Sequence, residues 1–311
     1  MKKFVTDELI FMTLAGSRMY GTNVEGSDID KRGVCVPPRI VVYGLARNFS
    51  IQEVPGEDTV IYALRKFIQL AMDCNPNIIE LLFAPNDCIE VLHPTWEKLR
   101  EKRQLFLTAK AYHTFTGYAH QQMKRIKGHR GWLLDPPTHQ PTREEFGLSE
   151  AGQGVRDLAK GIDATEISQE VVVIIEKEKA YKAALTRWQQ YQKWKTERNA
   201  ARAELEAMFG YDCKHAMHLM RLLRMGRQIL TEGKLDVRRP DASELLEIRR
   251  GGWSYERLVE EADAIKTELD EIYENGNYVV PFGPPQLEIS DFCIDLHEYH
   301  WSNHAKRLTD E

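Results

Sequence analysis

The sequence predicts an α+β fold, a small mixed β-sheet with helices on one face followed by a largely α-helical C-terminal region. Three observations predict it. Short apolar stretches broken by Gly and Pro fill residues 8–62, the apolar period becomes helical from Ala63, and segments rich in Lys, Glu, Gln and Ala run from Thr95 onward. The early stretches predict strands at residues 9–15, 31–36, 41–43, 49–53 and 59–62, with a break at Pro37-Pro38. Next, Leu64, Phe67, Ile68, Ala71 and Met72 fall on one helical face, and Asn75-Pro76 stops that helix. Residues 78–83 form a further apolar segment, helix or strand, that ends at Ala84-Pro85.

Residues 96–127 predict one or two helices, and residues 128–154, rich in Gly, Pro and Thr, predict a loop. Residues 163–209 contain neither Gly nor Pro and carry aromatic and aliphatic side chains at helical spacing, although the β-branched run 171–175 favours a strand locally. One unbroken helix there would be roughly 70 Å long, so a kinked helix or helical hairpin is expected. Its aromatic side reads as a packing or oligomer seam rather than a base-stacking platform. Helices follow at 214–224 and 255–273, then a Pro-containing loop from Asn275 and a short helix over 289–300. The chain thus divides into residues 1–94 and a helical domain 95–311, which holds the loop 128–154 and a helical insertion at about 163–209.

A chain of 311 residues can bury a substantial core, and 42% hydrophobic with 29% charged residues is ordinary for a globular protein. No apolar run approaches the ~20 residues a bilayer requires, and the N-terminus lacks a signal-peptide h-region, which predicts a cytoplasmic protein with no membrane partner. Five widely spaced cysteines fit neither a disulfide framework nor a zinc pattern, so reduced, buried thiols are expected. A net charge of −5 argues against a protein that coats nucleic acid, yet residues 98–131 hold nine basic side chains, from Lys98 to Arg130, against the one acid Glu101. That segment either attracts a polyanion or is a solvated helix face whose counter-charges lie on neighbouring elements.

The chemistry concentrates near the start. Apolar residues 11–15 run into Gly16-Ser17, and Asp28 and Asp30 follow, two residues apart and so on one face of an extended segment. Glycine lets the backbone approach a triphosphate, the Ser17 hydroxyl and neighbouring N–H groups can bind its oxygens, and the Asp pair offers the hard oxygen ligands Mg²⁺ prefers. Taken singly, a Gly-Ser pair is a turn and Asp-x-Asp a solvated loop. In this order, directly after an apolar strand, they point to phosphate and metal. Farther on, Lys214, His218 and Arg221 share one stripe of a helix while Met217, Met220 and Leu223 cover the core. That stripe either clamps phosphate or faces water.

Gly16-Ser17, a short spacer and Asp28-Ile29-Asp30 resemble the signature of the DNA polymerase β-like nucleotidyltransferase superfamily. The strings Gly-Ser-Arg-Met-Tyr-Gly-Thr from Gly16 and Ser-Asp-Ile-Asp-Lys-Arg-Gly-Val from Ser27 look like one branch of it. That branch comprises predicted nucleotidyltransferases of bacteria and their phages, some associated with RNA repair genes. The likeness covers most of the chain, with residues 135–210 the poorest match. It implies that residues 1–94 are the catalytic core, that the turn binds nucleotide phosphates, and that Asp28 and Asp30 bind catalytic Mg²⁺ or Mn²⁺. It implies a third metal-binding carboxylate on an adjacent strand; Asp58 matches, with Glu53 and Glu57 as alternatives in the same hairpin. It also implies a helix patterned Lys-His-x-x-His-x-x-Arg after the catalytic domain, which gives Lys214 and His218 a phosphate-facing role.

Supporting roles fall to neighbours. Arg18 and Tyr20 are candidates for contact with phosphate or base, Arg32 for neutralising the triphosphate, and Lys66 either faces the cleft or caps the sheet. Glu80, an acid in an apolar run, is assigned no catalytic part. The expected function is metal-dependent transfer of NMP from an NTP, ATP first, to an acceptor hydroxyl with release of pyrophosphate. An RNA or other nucleic-acid end is the first acceptor, on the strength of the basic segment. The alternatives are AMP or UMP transfer to a protein side chain by the same carboxylates, and a non-catalytic nucleotide-binding protein that recruits a partner or a second copy through residues 163–209. Three carboxylates weigh against the last, since a sensor does not need to activate a nucleophile.

Overall fold

A computed structural model describes residues 3–45, 49–149, 169–198 and 200–309, so the end of the expected loop and the first residues of the expected insertion lie outside the described residues. The fold is α+β. Strands β1 (Leu9–Leu14), β2 (Lys31–Cys35), β3 (Ile51–Glu53), β4 (Thr59–Ala63) and β5 (Ile89–Leu92) form one sheet in the order β3-β4-β2-β1-β5. β2 and β4 are parallel and the other neighbours antiparallel. Because Leu14 pairs with Lys31 and Lys31 with Thr59, the end of β1 meets the starts of β2 and β4 at one end of the sheet.

The pleat sorts side chains between two faces. On one, Phe11 stacks on Trp96 at 3.9 Å and Phe67 meets Trp96 edge-on at 5.1 Å. Helices α4 (Leu64–Met72) and α6 (Pro94–Glu101) thereby cover that face. Trp96 is fully buried, and replacing it by Ala would cost about 3–5 kcal/mol. On the other face, Val5 of the short α1 (Lys3–Asp7) packs with Cys35 and Ile61, flanked by Phe4, Met12 and Phe49.

Local chemistry explains where the elements differ from expectation. Residues 41–43 are not a strand: α3 (Arg39–Val42) forms because the Pro38 carbonyl accepts from the N–H groups of Val41 (2.8 Å) and Val42 (3.2 Å). The ambiguous segment 78–83 is helical, in α5 (Pro76–Leu82). Asn75 caps that helix by accepting from the Asn77 N–H, with Pro76 in its first turn. β5 has no counterpart among the expected elements; it is short, and its residues alternate only between half-buried and exposed. Helix α7 (Lys110–Leu134) continues through Gly128 and Gly131, each glycine's helix penalty of about 1 kcal/mol being overridden, so the loop expected from residue 128 starts later.

Contacts divide the chain into two compact units, Met1–Arg125 with Cys213–Glu311, and Ile126–Asp212. The second unit contains α8 (Gln169–Glu197) and α9 (Ala200–Phe209), so the long segment is two helices and its β-branched run is helical. Its aromatic side packs internally: Trp194 and Tyr191 lie 5.4 and 6.2 Å from Trp132, and Arg198 stacks on Trp194 at 4.2 Å. The first unit adds α10 (Cys213–Glu232), α11 (Ala242–Arg249), α12 (Tyr255–Glu274) and α13 (Gln286–Thr309), the last longer than the 289–300 expected. α10 packs on α11 and α12, and α13 on α4 and α6.

Much of the basic segment is consumed by packing. Arg100 donates to the Ala84 carbonyl (2.9 Å) and Asn86 (2.7 Å), Lys98 lies over Tyr299, Lys102 over Phe292 and Arg103 over Phe83. Lys124 and Arg125 remain exposed. None of the five cysteines forms a disulfide, and four are buried. Among the described residues no helix is long and apolar enough to cross a membrane.

Candidate active site

β1 delivers the chain to Gly16, whose φ of 62° lies in the region that favours glycine and which leads into the turn helix α2 (Ser17–Tyr20). The Gly16 carbonyl accepts from the N–H groups of Met19 (3.1 Å) and Tyr20 (3.2 Å). A Cβ at Gly16 would run into the carboxylate of Asp30. The missing side chain therefore lets a carboxylate approach the Gly-Ser turn.

Two backbone bonds set that carboxylate in place. The Ala15 N–H donates to the Asp30 carbonyl and the Lys31 N–H to the Asp58 carbonyl, both at 2.8 Å, extending the β1/β2 and β2/β4 ladders by one residue. Asp28 and Asp30 lie in the extended connection just ahead of β2 rather than within a strand. Asp30 and Asp58 hydrogen-bond to each other; Glu57 instead accepts from the Thr59 hydroxyl at 3.2 Å, and Glu53, on β3, pairs with Val60 of β4.

The electrostatics follow from this closeness. Burial, the hydrogen bond and charge of Asp58, and the charge of Asp28 push Asp30 up to about 6 against the pull of Arg32. The same hydrogen bond, with Arg32, holds Asp58 below the usual carboxylate range. Below about pH 6 the proton held by the pair therefore resides on Asp30. Arg32 does not point into open space: its guanidinium reaches Asp58 at 3.1 Å and donates to the carbonyls of Lys31 and Asp58 at 2.8 Å. Two hard-oxygen carboxylates, Asp30 and Asp58, thus stand together beside a glycine that leaves Asp30 room, and Asp28 is near enough for its charge to act on Asp30.

The remaining candidates divide. Arg18 follows the turn, its Nε buried without a partner among the described residues. Lys214 is exposed on the first turn of α10, and one turn later the half-buried His218 is held neutral, well below its ordinary range, by burial and by the charges of Arg221, His215, Lys214 and Arg249. Tyr20 does not face a ligand. It is 6% exposed, its hydroxyl donates to Glu80 at 2.5 Å, and Arg221 donates to the same carboxylate with its guanidinium 3.8 Å over the Tyr20 ring. Lys66 is not brought to the carboxylates either. Asp58 precedes β4, whereas Lys66 follows its far end and lines a cavity there with Ala63 and His297.

Sequence reasoning missed the arginines that close around the turn. Arg249, in the last turn of α11, donates to the Thr22 carbonyl at 2.7 Å and stands near Asp28, whose charge acts on it. Arg238 donates to the Arg18 carbonyl at 2.9 Å, and the Arg239 N–H to the Tyr20 carbonyl at 3.1 Å. The only sequence signal was the pair Arg249-Arg250 ahead of Gly251-Gly252. A cavity of about 400 Å³ lies elsewhere, against Arg224, Arg239, Asp241 and Glu244, but those charges already pair with one another.

The mixed five-stranded sheet thus carries a Gly-Ser turn and the carboxylates of Asp30 and Asp58 at one end. Residues 1–132 match the model of the RNA repair pathway DNA polymerase beta family. An uncharacterized 38.9 kDa protein in the nrdC-mobD intergenic region of Enterobacteria phage T4 is 28% identical over 129 residues, which is 37% of this chain and 38% of that protein. The matched region thus spans well under half of that relative. No solved structure matches.

Proposed function

We propose that this protein transfers NMP from an NTP, ATP first, to an acceptor hydroxyl on an RNA end, with release of pyrophosphate. The observation that carries the reading is the close carboxylate pair Asp30–Asp58 set against Gly16. In this reading residues 1–94 are the catalytic core, and Asp28, Asp30 and Asp58 hold Mg²⁺ or Mn²⁺. The bound cation supplies charge neutralisation at the α-phosphate and at the departing pyrophosphate. Gly16, Ser17 and Arg18 bind phosphate oxygens through backbone N–H groups, hydroxyl and guanidinium. Lys214, His218 and Arg249 approach from the helical region and hold the outer phosphates, and the acceptor hydroxyl comes in on the Asp58 side. Arg32 keeps Asp58 ionised. Little covalent chemistry falls to the chain, whose work is alignment and electrostatic stabilisation. RNA as acceptor is supported by the family of residues 1–132 and by the exposed Lys124 and Arg125. Cysteines outside any disulfide fit a reducing cytoplasm.

Purified protein incubated with α-³²P-labelled NTPs, Mg²⁺ and RNA tests this. Label on RNA ends is the expected result. Label on protein or on small molecules would replace the acceptor, and no pyrophosphate with any acceptor would overturn the transferase reading.

A further inference from the structure

We propose that the face of α7 bearing Tyr118, Lys124 and Arg125 seats the phosphate backbone of the acceptor strand and leads its end to Asp58, an inference that rests on the nucleic-acid acceptor reading and adds where the strand is held.

The first support is charge left without compensation. From Lys110 to Leu134 α7 contains neither Asp nor Glu, so none of its cations has an acidic partner one turn away. A solvated helix face can instead borrow counter-charges from its neighbours, as Lys110 does from Asp73 at 3.3 Å. Lys124 and Arg125 do not: both are exposed, and among the described residues no acid pairs with either. Two unneutralised cations on one helix edge leave a positive field that a polyanion fills.

The second support is a hydrogen-bond donor with a fixed direction. Asn75 Oδ1 accepts from the Asn77 N–H at 3.1 Å in capping α5, so Nδ2 is the atom that donates to the Tyr118 hydroxyl at 3.2 Å. The Tyr118 proton is therefore left to donate elsewhere, and no acceptor for it stands among the described residues. An anionic phosphate oxygen supplies one.

The sheet joins this face to the carboxylates. Tyr62 lies four residues along from Asp58 and so on the same face, roughly 13 Å away at 3.3 Å per residue. Burial raises the Tyr62 hydroxyl above its ordinary range, with Arg32 pulling it down and Tyr118 pushing it up, so Tyr62 is near both. Arg32 in turn holds Asp58. Along α7, Tyr118, Gln122 and Arg125 follow at i, i+4 and i+7 and share one stripe about 10 Å long, with Lys124 at its edge. Gln122 accepts from the His215 Nδ1–H at 2.7 Å, so the stripe also borders α10. A strand laid there has phosphates at Lys124 and Arg125, an oxygen on the Tyr118 hydroxyl, and its end over Tyr62 toward Asp58. Contacts of this kind position a backbone and read no base edge.

Fluorescence anisotropy of labelled single-stranded RNA with the full-length protein, in EDTA and without NTP, tests this between about 50 and 200 mM KCl. The wild type should bind two RNAs of unrelated sequence alike, with affinity falling as salt rises. Lys124→Gln with Arg125→Gln should weaken binding at least tenfold and reduce the slope of log affinity against log salt by about 1.4, since each phosphate neutralised on a single strand adds ~0.7. Tyr118→Phe removes a donor but no charge, and should weaken binding about fivefold with the slope unchanged. Circular dichroism spectra matching wild type show that each variant is folded. No binding by the wild type, a preference for one RNA sequence, an undiminished slope in the double variant, or wild-type affinity in Tyr118→Phe would overturn the proposal. Because neither NTP nor cation is present, the transfer reading is decided separately, by pyrophosphate release.

Discussion

Asp30 and Asp58 stand just ahead of two different strands yet share one hydrogen bond, because β2 and β4 enter the sheet side by side and each begins one residue after its aspartate. Two carboxylates so close cannot both ionise freely. Their closeness is costly to the protein alone and useful to a bound cation.

The cost has a pH signature. Asp30 is raised to about 6 from an unfolded value near 4, so the native state keeps a proton that the unfolded chain has lost between those values. Its contribution to stability is full below about pH 4 and is lost as the pH rises through about 6. Asp58, which is lowered, acts in the opposite sense, its contribution being lost only as the pH falls below the ordinary carboxylate range. In EDTA, Asp30→Asn should therefore match wild type in Tm near pH 4 and exceed it by about 2 °C at pH 7, solvent screening allowed for. Thermal melts at the two pH values check this.

Gly16→Ala places a methyl group against the Asp30 carboxylate at a φ of 62°. We expect a stability loss of about 1–3 kcal/mol, read from urea unfolding, and NTP binding weakened at least tenfold, read by calorimetry.

Arg221 and Glu80 are both nearly fully buried, 4% and 1% exposed, and join α10 to α5 against Tyr20 of the Gly-Ser turn. Arg221→Met leaves a buried carboxylate unpaired and should cost about 3–5 kcal/mol. Adding Glu80→Leu should restore part of that loss, because the uncompensated charge goes with it. A double-mutant cycle in denaturant measures the difference.

Arg249→Ala should weaken NTP binding about tenfold, or ~1.4 kcal/mol, while leaving the carboxylate pair intact. Equilibrium binding of a non-hydrolysable NTP analogue checks this.

What the sequence made legible follows from distance along the chain. Gly16, Ser17, Asp28 and Asp30 lie within fifteen residues, so one local pattern carries them, whereas Asp58 was reached only through the family resemblance, with Glu53 and Glu57 as alternatives. Arg249, Arg238 and the Glu80–Arg221 pair were not legible, since nothing local marks an arginine that will meet a backbone carbonyl some 220 residues away. Tyr20 and Lys66 sat close in sequence to motif residues but were turned away, one by a buried acid and the other by the length of β4. The strand expected at 41–43 failed because Pro38 supplies the carbonyl that starts a helical turn.

The most direct measurement of the central claim is pyrophosphate release from NTP with Mg²⁺ and RNA, comparing wild type with Asp30→Ala and Asp28→Ala. The account predicts release by the wild type, label on RNA, and a loss of at least 10³-fold in both variants, each correctly folded by circular dichroism. Equal release by either variant and the wild type would contradict it.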